Sequence, residues 1–80
     1  MAYRENLQTW VREALIAIGG RGTVVEVAKH LWENHQADFL AAGEGFYTWQ
    51  YDMRWAAQRL REQGKLGLTK EGSKSVWYTR

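Results

Sequence analysis

Eighty residues without a cysteine exclude a second domain, a disulfide framework and a thiolate metal site; one modest core must rest on packing, with five tryptophans supplying much of it. The formal net charge of +2 is small, yet residues 1–48 hold four Lys or Arg against six Asp or Glu while residues 49–80 hold seven against three, so the basic half is the carboxyl-terminal one. No apolar run approaches the roughly 18 to 20 residues of a membrane span, and residues 1–20 mix charges into their apolar positions as a signal peptide does not, so the expectation is a soluble, cytoplasmic domain.

From Asn6 to Ile18 the residues Leu7, Trp10, Val11, Ala14, Leu15 and Ile18 recur at spacings of three and four, which predicts a first amphipathic helix with Asn6 as its N-cap. Gly19 and Gly20 end it. Thr23-Val24-Val25-Glu26 then has the capping-box form, in which the hydroxyl and the carboxylate each satisfy a free backbone N–H. A second helix therefore starts at Thr23 and runs to about Asn34, with Val24, Val27, Ala28, Leu31 and Trp32 as its apolar stripe. The short connection from Gly19 to Gly22 makes the two helices neighbours.

Between His35 and Tyr47 the pattern weakens. Ala37, Phe39, Leu40 and Ala42 make one helical turn before Gly43-Glu44-Gly45 breaks it, so a loop with a short helix is expected. A simple helix-turn-helix reaches its next helix in about three or four residues. The extra length must cover something apolar or touch a partner, and Phe39, Phe46 and Tyr47 suggest covering.

The strongest signal runs from Thr48, as N-cap, to Gly64, as the left-handed C-terminal residue. At about 100° per residue, Trp49, Met53, Ala56, Ala57 and Leu60 fall in one buried sector. The opposite sector collects Tyr51, Arg54, Trp55, Gln58 and Glu62, bordered by Arg59 and Arg61. Beyond Gly64, Lys65–Leu68 and Ser75–Thr79 read as two strands rich in β-branched and aromatic residues, joined by a polar turn that puts Lys70 and Lys74 at the tip. Such a hairpin must pack one face on the helices.

Three helices and a basic hairpin follow in the order of an α+β winged helix-turn-helix. The spacing Arg54-Trp55-Ala56, Leu60, Gly64 and Leu66, closing with Val76-Trp77-Tyr78-Thr79, resembles the winged-helix domain at the amino terminus of Mrr-type restriction endonucleases, over roughly residues 6–80. Residues 36–47 look like an insertion relative to its simplest members. The resemblance implies a DNA-binding module without its nuclease.

A catalytic reading finds little to build on. His30 and His35 lie five apart, about 140° around a helix, so they cannot share a metal as residues i and i+4 do, and the bland expectation for both is a solvated helix end. No enzyme, metal or cofactor is expected. The candidate contacts to double-stranded DNA are Thr48, Gln50, Tyr51, Arg54, Gln58 and Arg61 on the third helix, where long donors reach base edges, with Lys70 and Lys74 on phosphates. The competing expectation is that Arg59, Arg61, Lys65, Lys70 and Lys74 merely keep an aromatic-rich protein soluble. A further alternative is a winged helix that recruits protein or RNA. Tyr51 and Trp55 bear on it: Trp55 is expected to pack under the hairpin or the 36–47 segment, and otherwise the pair forms a platform for a base or a partner side chain.

Overall fold

The computed structural model describes residues 3–43 and 45–80. Its elements are α1 (Arg4–Ala17), β1 (Arg21–Thr23), α2 (Val24–Leu40), α3 (Gly45–Glu62), β2 (Leu66–Glu71) and β3 (Lys74–Thr79). Three helices pack with a three-stranded antiparallel sheet of order β1-β3-β2, an α+β arrangement compatible with a winged helix. The expected two-stranded hairpin is thereby corrected. Arg21, Gly22 and Thr23 pair with Tyr78, Trp77 and Val76, because a bare hairpin would leave one edge of β3 with unpaired backbone groups that the chain entering α2 can satisfy.

Three helix boundaries differ from the sequence expectation. α1 begins at Arg4 rather than at an Asn6 cap; the Asn6 N–H donates to the Tyr3 carbonyl at 2.9 Å. Tyr3 is buried, and its hydroxyl donates to the Asp52 carboxylate of α3, so a tertiary anchor sets the start. α2 begins as expected: the Thr23 hydroxyl accepts from the Glu26 N–H at 3.2 Å and the Glu26 carboxylate accepts from the Thr23 N–H at 2.8 Å. It does not stop near Asn34, however. A kink at His35 (φ −130°, ψ 21°) lets helical backbone resume to Leu40.

The reason is Phe39. It is fully buried, with its ring 4.5 Å from that of Trp49 and 5.1 Å from that of Tyr3, centroid to centroid. Covering by Phe39 is thus as expected, whereas Tyr47 is 85% exposed and its ring meets that of Phe46 edge-on at the surface. Of the expected break, Gly43 closes the turn after α2, Glu44 lies outside the described residues, and Gly45 already belongs to α3. α3 therefore starts one turn before Thr48, which is not its cap. At its far end the Lys65 N–H donates to the Leu60 carbonyl at 2.9 Å and the Gly64 N–H to the Arg61 carbonyl at 3.0 Å, a Schellman closure with Gly64 at φ +75°.

The core joins all three helices to the sheet. The stripe Trp49, Met53, Ala56, Ala57 and Leu60 is buried as its periodicity requires, against Leu7, Val11 and Leu15 of α1, Val27 and Leu31 of α2, and Leu66 and Trp77 of the sheet. His35 is not a solvated helix end: its ring stacks on Trp10 with centroids 3.8 Å apart.

Candidate nucleic-acid interface

Because α3 is pinned by its apolar stripe, its remaining positions are displayed as a set. Gln50, Tyr51 and Arg54 are exposed, and Gln58 is half-buried beside exposed Arg61. The Arg61 guanidinium donates to the Gln58 side-chain oxygen at 3.2 Å. Arg54 has no hydrogen-bond or ion-pair partner among the described residues. Thr48 is turned elsewhere. Its hydroxyl donates to Asp52 at 3.2 Å, beside the Arg4 guanidinium, whose Nε donates to the same carboxylate oxygen at 3.1 Å. Thr48 thus belongs to the joint between α1 and α3.

That joint also removes the negative charge of Asp52 from the outward face. The same environment raises the Tyr3 pKa, chiefly by burial and then by the hydrogen bond to Asp52. Along the outward sector of α3 the remaining carboxylate is Glu62, in the last turn.

The expectation that Trp55 is covered is overturned: it is 54% exposed, with Tyr51 at 72%. The 36–47 segment is engaged through Phe39 with Trp49 and Tyr3, on the core side of α3, and so does not reach Trp55. The Arg59 guanidinium lies 5.4 Å from the Trp55 ring centroid, a cation–π pair at the surface. Tyr47, Tyr51 and Trp55 consequently follow one another at intervals of four along the helix. Tyr47 was legible only had the helix been extended backward to Gly45, since that puts it one turn before Tyr51.

On the sheet, Lys70 lies within β2 opposite Ser75, and Lys74 opens β3 opposite Glu71. The turn is only Gly72-Ser73, so Lys74 stands beside it at the tip while the placement of Lys70 there is corrected to one pair further back: β2 runs on to Glu71 because every residue from Leu66 onward finds a partner on β3. Both remain exposed. Lys74 lies near the start of α2, where its charge helps lower the Glu26 pKa; the larger causes are the hydrogen bonds from the Thr23 N–H and hydroxyl. Arg21 forms an ion pair with Glu71 across the sheet.

Among the described residues, no group of three or more His, Cys, Asp or Glu is placed to hold a metal ion, and no helix is long and apolar enough to cross a membrane. Comparison with models of protein families, with curated proteins and with solved structures finds no match to this chain.

Proposed function

We propose that the chain is a winged helix-turn-helix module that binds duplex DNA in the cytoplasm, with α3 in the major groove and Lys70 and Lys74 of the hairpin on backbone phosphates. The observation that carries this reading is the state of Arg54: an exposed guanidinium without a partner among the described residues, in mid-helix, flanked by Gln50 and Gln58, on a face from which Asp52 is withdrawn. Long donors so placed suit the paired acceptors of guanine or adenine in the major groove. The residue spacing from Arg54 to Leu66, read from the sequence as resembling the amino-terminal domain of Mrr-type endonucleases, points to the same role.

A salt series with a random duplex tests it. Binding should weaken with a log–log slope of about −0.9 per phosphate contacted. A flat response would refute the DNA reading and favour its alternative, a surface that recruits protein or RNA. Exposed Tyr51 and Trp55 are the observation favouring that second reading.

A further inference from the structure

Between the first half of α2 and the first half of α3 runs an open groove of about 620 Å³. Its floor is Ala28, Trp32, Trp49 and Met53; its walls are Val24 and Val25 of α2 and Phe46 of α3. Val25 is 75% exposed, a β-branched side chain on a helix surface that nothing in the fold covers. An isolated exposed valine would mean little, but here it borders a continuous apolar trough bedded on the core. The lining also includes Lys29 on one side and Gln50 and Arg54 on the other, and no carboxylate among the described residues.

We propose that this groove receives an amphipathic helical segment of a protein partner, apolar along one face and acidic along its flanks. Helix-in-groove recognition needs a trough between two elements that takes side chains at i, i+3, i+4 and i+7, with rim charges that set orientation. Cations on both walls, with no anion among the described lining residues, are complementary to acidic flanks. A second copy of this chain seated groove to groove would instead bring Lys29 and Arg54 against their own counterparts. Duplex DNA would match the cations yet leave the apolar trough largely unfilled. Gln50 and Arg54 also belong to the proposed DNA face, so a seated segment excludes DNA; this consequence alone rests on the DNA reading.

The test titrates the isotope-labelled chain, without DNA, with a synthetic helical peptide carrying leucine at i, i+3, i+4 and i+7 and glutamate on both flanks. The expected result is binding that shifts the indole N–H resonances of Trp32 and Trp49. Val25→Glu, Lys29→Glu, or lysine-flanked peptide should each weaken it by about tenfold or more, the worth of one strong interaction. Unfolding midpoints establish that both variants remain folded, as exposed positions permit. The proposal is overturned if the acidic peptide leaves the indole resonances unmoved, if Val25→Glu binds it as the parent does, or if acidic and basic peptides bind alike. It is equally overturned if sedimentation finds a dimer that Val25→Glu dissolves, which would make a second copy the occupant. Loss of DNA binding in the salt series, with peptide binding intact, would count against the DNA reading and leave the groove assignment standing.

Discussion

The imidazole of His35 lies flat on the indole of Trp10, with ring centroids 3.8 Å apart and planes within 8°. This stack ties the kink of α2 to the middle of α1, and it holds the turn after the kink where Phe39 enters the core. His35→Ala should therefore lower stability by about 0.5–1.5 kcal/mol, the range for a well-packed ring pair, while His35→Phe retains most of it. Denaturant midpoints of the two variants check this; equal losses would mean that the ring stack contributes nothing.

The capping box at the start of α2 makes a pH-dependent claim. Thr23→Ala should cost about 1 kcal/mol. Glu26 has a folded pKa below its unfolded value because the Thr23 N–H and hydroxyl favour its charged form. Its contribution is accordingly complete above the ordinary glutamate range and lost as pH falls through the folded value. Parent and Glu26→Gln should differ in midpoint at neutral pH and converge in acid. A difference that persists unchanged in acid would contradict the assignment.

A methyl group at Gly67 would lie 2.1 Å from the ring of Tyr78, its partner on β3. The ring rests over the bare backbone, so Gly67→Ala must displace it and should cost about 1–3 kcal/mol as overpacking does. In a Tyr78→Ala background the same change should cost far less. A double-mutant cycle reads the coupling, and simple additivity would show that ring and glycine are independent.

Arg54→Ala separates recognition from mere basicity. On a selected duplex it should lose about 1–3 kcal/mol of binding and much less on random DNA, since a guanidinium paired with guanine is a directed interaction. Its fold should persist, because Arg54 is exposed. Leu60→Ala is the opposite case: Leu60 is 3% exposed in the core, and its truncation should cost about 2–5 kcal/mol of stability. Equal loss on both duplexes would make Arg54 a phosphate ligand.

Replacing Lys70 and Lys74 by Gln should weaken binding to all duplexes alike and reduce the salt slope by about 0.9 for each phosphate no longer neutralised. Lys74 is opposite Glu71, which itself pairs with Arg21, so the two lysines are best changed singly as well as together. An unchanged slope would place the hairpin away from DNA.

Local periodicity and capping chemistry determined a definite part of this protein. The stripe from Trp49 to Leu60, the Thr23–Glu26 box and the turn at Gly64 depend on residues within one or two helical turns of each other, and all three are found as read. Tertiary structure decided what depends on residues far apart. β1 has only three residues and no pattern of its own; it is a strand because β3, more than fifty residues later, leaves an edge beside it. α1 starts at Arg4 because Tyr3 is held by Asp52, and α2 resumes beyond His35 because Trp10, Trp49 and Tyr3 enclose Phe39. The candidate surface divides the same way. The outward phase of Arg54 and Tyr51 was legible from helical spacing, whereas the inward turn of Thr48, the exposure of Trp55 and the groove beside Val25 arise where α3 meets α1 and α2. A side chain's phase on its helix is a local property; what stands opposite it is set by packing between helices.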